Sequence, residues 1–218
     1  MKNELQEKNS KEESIKIILI GEVYTGKTSL INVYIKKEFD KKVESTISPS
    51  YFNKTIRFED KTYIIYLWDT AGQEQFRSMN KIFIKDSNII IFIYDITRKN
   101  TLKELSFWIE YVESIVGKDN SVYGVVGNKV DLFDKIEELK ETNPNIDYEL
   151  VNTEEGKAFA EKIGAEFLET SAKEKAVGFD NFIYKLVDEY RSKNMFSEKP
   201  DFISLGSTNL NKKKKCCH

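Results

Sequence analysis

Hydrophobic and polar positions alternate in blocks along the chain, and each block predicts one element of an α/β fold. Six short apolar runs bounded by polar residues predict strands, and four longer segments with apolar residues at helical spacing predict helices. The predicted strands are Ile15–Ile20, Tyr51–Phe58, Tyr63–Trp68, Ile89–Tyr94, Val122–Val126 and Glu166–Leu168, and the predicted helices are Lys27–Lys36, Thr101–Val116, Thr153–Ile163 and Phe179–Ser192. Because strands alternate with helices, we expect a mostly parallel sheet with helices on both faces.

The ends of the chain differ from its middle. Residues 1–14 are charged and lack an apolar run, so we expect a disordered tail there, followed by one domain over residues 15–192. Residues 193–218 are polar and aperiodic and predict a flexible linker that ends in four lysines, two cysteines and a histidine. Within the domain, residues 59–62 form a predicted hairpin turn, so the second and third strands are expected to be antiparallel.

Composition narrows the class of protein. The chain has 218 residues, 40% of them hydrophobic, and a formal net charge of −2, which suits one domain and argues against a nucleic-acid partner. Cys216 and Cys217 are the only cysteines, so no disulfide framework or zinc site is expected, and the single His218 argues against histidine catalysis. We expect no signal or transit peptide and no membrane span, and therefore a cytosolic, single-domain protein. We also expect it to be a monomer.

The segment after the first strand has the pattern of a phosphate-binding loop, Gly-x4-Gly-Lys-Thr, at residues 21–28. Glycines let the backbone direct N–H groups at a polyphosphate, and the following helix points its positive dipole end at the same charge. Lys27 can reach the β- and γ-phosphates, and the Thr28 hydroxyl can bind Mg²⁺. A nucleoside triphosphate is therefore expected to bind Gly21, Glu22, Val23, Tyr24, Thr25, Gly26, Lys27, Thr28 and Ser29.

A second polar segment, Trp-Asp-Thr-Ala-Gly-Gln-Glu at residues 68–74, follows the third strand. Asp69 at the mouth of that strand can hold Mg²⁺, directly or through water. Gly72 has no side chain, so its N–H can approach a γ-phosphate closely. Gln73 is a neutral donor and acceptor, which suits it to orient a water molecule without competing for its proton.

The segments after the fifth and sixth strands predict a guanine site. The Asp131 carboxylate can accept two hydrogen bonds from one edge of guanine, and such sites discriminate by roughly 10⁴-fold or more. Asn128 is expected to tie this loop to the phosphate loop, while the Lys129 stem lies on the base. Past the last strand, a backbone N–H can reach the guanine carbonyl from the segment Ser171, Ala172 and Lys173.

Together these motifs resemble the Ras superfamily of small GTPases over about residues 15–192. Within it the chain looks most like a Rab, because of residues 68–78, Tyr-Asp-Ile-Thr at 94–97, Phe-Leu-Glu-Thr-Ser-Ala-Lys at 167–173 and the terminal Cys-Cys-x. The resemblance implies the small-GTPase (P-loop NTPase) fold, with six strands of which the second is antiparallel. It also implies GTP and GDP as ligands, Mg²⁺ as cofactor, and slow hydrolysis in which Gln73 and Lys27 act catalytically.

The resemblance assigns further positions. Phe39 would pack edge-on against guanine, and Thr46 would complete the Mg²⁺ shell in the GTP state. Two loops would respond to the γ-phosphate: residues 46–52, here called the first switch loop, and about residues 71–81, the second switch loop. Implied partners are an exchange factor, a GTPase-activating protein, effectors, a prenyl transferase escort and a GDP-dissociation inhibitor.

The carboxyl-terminal tail predicts membrane attachment. Residues 212–215 are lysines, which attract anionic lipid by about 1 kcal/mol each near the surface. By the resemblance, Cys216 and Cys217 would both receive geranylgeranyl groups, and two lipids give stable attachment where one is marginal. We then expect the protein on the cytoplasmic face of intracellular membranes, cycling with the cytosol. Two unmodified thiols remain the alternative.

Some positions depart from the Rab pattern. Val23 and Tyr24 stand where the family has small residues, which predicts slow hydrolysis and a blunted response to activating proteins, unless the loop has adjusted locally. A recruitment scaffold that stays bound to GTP is therefore an alternative. Pro49 in the first switch loop, and residues 82–87 in place of the Rab tyrosine-containing stretch, also weaken the Rab assignment.

The region between Asp131 and the helix at Thr153 is about a dozen residues longer than in a typical Rab. Within it Phe133–Thr142 has helical character, and Asn143-Pro144 would end the helix. Rho proteins carry an insert helix at this place, so a Rho-like GTPase that signals to the cytoskeleton is the second interpretation. An acidic surface helix without a binding role is the alternative for the insert.

Overall fold

The computed structural model describes residues 13–40, 46, 49–58, 61–70 and 77–193, and its centre is a six-stranded sheet. The strands are β1 Glu13–Ile20, β2 Ser50–Phe58, β3 Lys61–Asp69, β4 Ile89–Asp95, β5 Val122–Asn128 and β6 Glu166–Thr170. They lie in the order β2-β3-β1-β4-β5-β6, and of their pairings only β2 with β3 is antiparallel. The predicted α/β class, with a mostly parallel sheet, is confirmed.

Helices cover both faces of this sheet. They are α1 Lys27–Lys36, α2 Arg77–Ile84, α3 Lys99–Lys103, α4 Leu105–Val116, α5 Ile136–Thr142, α6 Thr153–Lys162 and α7 Phe179–Ser192, with a 3₁₀ helix at Val130–Lys135. Buried side chains of α1 and α7 form one core with the sheet, and those of α4 and α6 form a second core on the other face. None of the helices in the described residues is long and apolar enough to cross a bilayer.

Strand β1 is the central strand and contributes to both cores. Ile15, Ile17 and Leu19 belong to the core under α1 and α7, while Ile18 and Ile20 belong to the core under α4 and α6. A strand buried on both faces needs an unbroken apolar run rather than an alternating one, because successive side chains point to opposite faces. This explains the run that precedes the phosphate loop.

Element boundaries differ from the predictions in several places. The predicted helix Thr101–Val116 begins earlier, at Lys99, and is interrupted at Glu104 between α3 and α4. Residues 13 and 14, which were assigned to the amino-terminal tail, belong to β1. The helical segment predicted at Phe133–Thr142 divides into the end of the 3₁₀ helix and α5.

Helix α2 was not predicted from the sequence. Ile82, Phe83 and Ile84 are adjacent, and only Met79 precedes two of them at helical spacing, so the helical period covers little more than one turn. Of the three, Ile84 is fully buried in the core and Ile82 is exposed. The pattern of this eight-residue helix is therefore amphipathic but short.

Helix α6 packs very closely on the sheet at Gly156. A side chain there would collide with the Tyr94 hydroxyl and would lie 2.8 Å from the Phe167 ring. Tyr94 also fills the space above Gly127, where a Cβ atom would lie 2.6 Å from its hydroxyl. The two glycines together make room for one buried tyrosine.

We predict that Gly156→Ala destabilises the domain by about 1–3 kcal/mol, because overpacking at Tyr94 outweighs the helix-propensity gain of about 1 kcal/mol. The measurement is urea unfolding at one fixed GDP concentration, since bound ligand shifts apparent stability. Glu161→Ala, at an exposed position of the same helix, is the control and should change the free energy of unfolding by less than about 0.5 kcal/mol. A stabilised Gly156→Ala variant would contradict the packing argument.

Candidate functional site

The loops at the carboxyl ends of the parallel strands enclose a cavity of about 300 Å³. This is the edge at which open α/β sheets bind ligands. Its lining comes from the phosphate loop and α1, the segment after α1, the end of β3, and the loops after β5 and β6: Val23, Tyr24, Gly26, Lys27, Thr28, Ser29, Phe39, Asp40, Thr46, Thr70, Asn128, Lys129, Asp131, Leu132, Ser171, Ala172 and Lys173.

Most of the predicted binding residues that the structure describes therefore line one cavity. Four do not: Gly21, Glu22, Thr25 and Asp69 lie behind its surface. The Glu22 side chain turns away and accepts a hydrogen bond from the Trp108 indole at 3.0 Å, so only its backbone remains available for the predicted nucleotide contact.

The phosphate loop takes a shape that needs glycine at two positions. Gly21 and Gly26 have φ values of 153° and 92°, in the region that favours glycine. A side chain at Gly21 would collide with the Ile93 carbonyl, and one at Gly26 with the Asn128 amide. Tyr24 lies in the left-handed region as well, with φ 63°, although it carries a side chain.

Lys27 lies buried beneath the loop, with 5% of its surface exposed. Its Nζ donates hydrogen bonds of 2.9 Å to the carbonyls of Gly21 and Glu22. Burial lowers the pKa of Lys27 to about 8, and the nearby carboxylates of Asp69 and Glu22 offset only part of that effect. A buried ammonium beside a cavity is electrostatically suited to an anionic ligand such as a polyphosphate.

Three oxygen-bearing side chains meet at one end of the cavity and fit a magnesium ion. The Thr28 hydroxyl lies 2.9 Å from the Thr46 hydroxyl and donates to Asp69 Oδ2 at 2.6 Å. Asp69 Oδ1 is buried without a hydrogen-bond partner among the described residues, and burial raises the pKa of this carboxyl group despite the Thr28 hydrogen bond. Hard oxygen donors around an unsatisfied carboxylate are what Mg²⁺ requires, so Thr28, Thr46 and Asp69 are the residues that would hold it.

Asn128 connects three loops around the cavity. Its side-chain Nδ2 donates to the Thr25 carbonyl of the phosphate loop at 2.8 Å. Its Oδ1 accepts a hydrogen bond of 3.1 Å from the backbone N–H of Ala172, which follows β6. The loop after β5 is thus held to both the phosphate loop and the loop after β6.

Asp131 is oriented by two neighbours. Its Oδ1 accepts a hydrogen bond of 2.5 Å from the Ser171 hydroxyl, and its Oδ2 lies 3.4 Å from Lys173 Nζ. Lys129 has φ 72°, and its Nζ lies 2.7 Å from Asp95 Oδ2. The carboxylate and the lysine stem therefore line the cavity in fixed positions, as recognition of a flat base requires.

Three residues of the lining, Asp40, Thr70 and Leu132, were not predicted. Thr70 donates its hydroxyl to the Leu19 carbonyl at 2.6 Å, which fixes the end of β3 to β1. Thr70 and Asp40 directly follow Asp69 and Phe39, so adjacency to a predicted residue was the signal available. Gly72, Gln73, Cys216 and Cys217 lie outside the described residues, and their roles remain predictions.

A model of the Ras family matches residues 16–192 of the chain. The chain belongs to the Ras family. Ras-family proteins are small GTPases that bind GTP and GDP, generally with Mg²⁺, and act as switches read by regulators and effectors. The lining of the 300 Å³ cavity combines residues of the phosphate loop with Thr46 and Asp131.

We predict that Asp131→Asn lowers GDP affinity by about 100-fold or more, because the amide puts a donor against the two donors of the guanine edge. Xanthosine diphosphate carries a carbonyl in place of the exocyclic amine, so its affinity should rise. Competition against a fluorescent guanine nucleotide measures both affinities. Asp134→Asn, at an exposed position three residues away, is the matched control, and equal losses in the two variants would contradict the role of Asp131.

Proposed function

We propose that this chain is a Rab-like GTPase, a switch that recruits effectors to membranes in vesicular traffic. The motif at residues 68–78, the segments 94–97 and 167–173, and the Cys-Cys-x ending support the Rab resemblance. The observation that carries the proposal is an aromatic cluster on the surface, formed by Tyr51, Trp68 and Phe83, which lies where the two switch loops join the fold.

The cluster is placed to respond to both loops. The Trp68 ring lies 5.1 Å from Tyr51 and 5.2 Å from Phe83, measured between ring centroids. Tyr51 is in β2, at the end of the first switch loop, and Phe83 is in α2, which begins within the second switch loop. Tyr51 is 54% exposed, so a displacement of either loop would change an apolar surface that a partner can contact.

Hydrolysis would follow from positions around the γ-phosphate. Gln73 would orient a water molecule in line with the bond to the γ-phosphate, and Lys27 would stabilise the charge that develops as GDP leaves. Mg²⁺, held by Thr28, Thr46 and Asp69, supplies charge neutralisation on the phosphates when bound. Unaided turnover is expected at about 10⁻⁴ per second, as in Ras, with acceleration left to an activating protein.

Membrane attachment is proposed through Cys216 and Cys217, both geranylgeranylated, with help from the lysines at 212–215. The linker would let the domain stand away from the membrane surface. A prenyl transferase escort and a GDP-dissociation inhibitor are the corresponding partners. The proposed location is the cytoplasmic face of intracellular membranes, in exchange with the cytosol.

A Rho-like function is the second candidate, and helix α5 is the observation that favours it. This helix occupies Ile136–Thr142, has no buried residue, and carries two glutamates in its first turn. An exposed helix in the region between β5 and α6 is the feature that the resemblance associates with Rho proteins. A partner site on this helix would then replace the Rab-type effectors.

A recruitment scaffold that hydrolyses GTP very slowly is the third candidate. Val23 and Tyr24 both line the cavity, and Tyr24 is 63% exposed at its rim. Bulk at these positions would obstruct the attacking water and an incoming arginine. Stoichiometric GTP in the purified protein would favour the scaffold, whereas bound GDP would favour a working hydrolase.

We predict that the carboxyl-terminal peptide from the native cell carries two geranylgeranyl groups, one on each cysteine. Intact mass measurement of that peptide is the test of the Rab proposal. Cys217→Ser is the matched variant and should retain at most one lipid and bind membranes only marginally. A single lipid or none on the wild-type peptide would reject the Rab assignment and leave the Rho-like candidate ahead.

We predict that single-turnover GTP hydrolysis accelerates in the order wild type, Val23→Ala, Val23→Gly, with about a tenfold gain for glycine. Each step removes side-chain volume from the cavity wall, and a tenfold gain corresponds to about 1.4 kcal/mol of transition-state stabilisation. GDP affinity, measured in parallel, should change little and shows that the site is intact. No rate gain in Val23→Gly would mean that the loop has already adjusted to valine.

A further inference from the structure

Arg98 touches the phosphate loop from outside the cavity. It lies just before α3, and its Nη2 donates a hydrogen bond of 3.1 Å to the Val23 carbonyl, 75 residues away in sequence. Its Nε donates to Asp95 Oδ2 at 3.0 Å. One guanidinium group thus spans the phosphate loop and the end of β4.

Asp95 connects Arg98 to the part of the cavity that is expected to bind the base. Its Oδ2 also lies 2.7 Å from Nζ of Lys129, which lines the cavity. Its Oδ1 accepts hydrogen bonds from the Thr97 backbone N–H at 3.0 Å and from the Thr97 hydroxyl at 2.7 Å. Although burial alone would raise the pKa of Asp95, the Lys129 and Arg98 charges hold it below its ordinary value. The ionised carboxylate of Asp95, which is 1% exposed, therefore connects Lys129, in the loop after β5, to Arg98.

The turn that presents Arg98 is itself held by the segment that ends the insert. Arg98 pairs with Glu149 in an isolated parallel bridge, and the backbone N–H of Lys99 donates to the Glu149 carbonyl at 2.8 Å. The N–H of Val151 donates to the Ile96 carbonyl, also at 2.8 Å. These backbone contacts hold the main chain at Arg98 and therefore fix the point from which its side chain extends.

The hydrogen bond from Arg98 reaches the phosphate loop next to a residue with a strained backbone. Val23 directly precedes Tyr24, which adopts the left-handed conformation at φ 63°. A residue with a side chain is strained in that conformation and leaves it unless its surroundings hold it there. Rotation of the peptide between Val23 and Tyr24 would break the hydrogen bond to Arg98, so Arg98 opposes this relaxation.

We propose that Arg98 is a positioning residue. It holds the phosphate loop in a fixed position relative to the loop after β5, which carries Lys129 and Asp131, and thereby slows nucleotide release. The inference rests on guanine-nucleotide binding by this site. Lysine cannot replace arginine here, because Nε and Nη2 act in a fixed fork on two acceptors, whereas an ammonium is a single point charge. Arg98→Lys keeps a charge for Asp95 but loses the contact with Val23.

The test measures dissociation of fluorescent GDP from the full-length protein with Mg²⁺ present. We expect about a tenfold faster release in both Arg98→Gln and Arg98→Lys, because both variants lose the charged hydrogen bond to the Val23 carbonyl. Lys99→Gln is the matched control, because Lys99 is in the same turn but pairs with Glu149 and Glu155 instead of the phosphate loop. Its release rate should remain within about twofold of wild type.

A second measurement, of GDP and GMP affinities, distinguishes a specific effect on the phosphate loop from a general loss of folding at the site. The loop cradles the diphosphate, so the Arg98 variants should lose about tenfold in GDP affinity but less than about threefold in GMP affinity. Equal losses for GDP and GMP would overturn the inference, as would Arg98 variants with wild-type release rates. A wild-type protein that fails to bind GDP would instead reject the nucleotide-binding function itself.

Discussion

The site depends on the hydrogen bonds of the Asn128 side-chain amide. It is almost fully buried, donates to the phosphate loop at Thr25, and accepts from the backbone after β6 at Ala172. A buried amide that loses a partner costs about 1–3 kcal/mol, so the three loops are held together cooperatively. Gly26 lies against the same amide and has no room for a side chain. The cavity exists because these loops cannot move apart independently.

Much of the sheet could be predicted because its cause is local. β1, β4 and β5 are buried on both faces, and their apolar runs, interrupted only by the buried Lys16 in β1 and by Gly124 in β5, identify them without knowledge of their partners. Helix α2 was missed because its amphipathic pattern spans only eight residues, and the interruption at Glu104 leaves no mark in the apolar spacing. Boundaries were the least certain feature, as for β1, which begins before its apolar run.

In the site too, features with a local cause were predicted and long-range contacts were not. Residues directly after the strands were found because parallel strands bring their carboxyl ends to one edge, where short polar motifs stand out. The direction of the Glu22 side chain could not be predicted, since its partner Trp108 is 86 residues away on α4. The same holds for Arg98, whose turn carries no phosphate-binding motif. Contacts of this range are set by the finished fold.

The central position of β1 also bears on how the chain folds during synthesis. β1 is made first, yet its partners are parallel and distant: Ile17 lies opposite Leu67 of β3 and Ile89 of β4. Such non-local pairing is slow, because the intervening chain must be closed into a loop before the contact forms. On the ribosome, the five apolar residues of Ile15–Ile20 remain without strand partners until β3 has emerged. An apolar strand that is buried on both faces of the finished domain is thus exposed and prone to aggregation in the nascent chain.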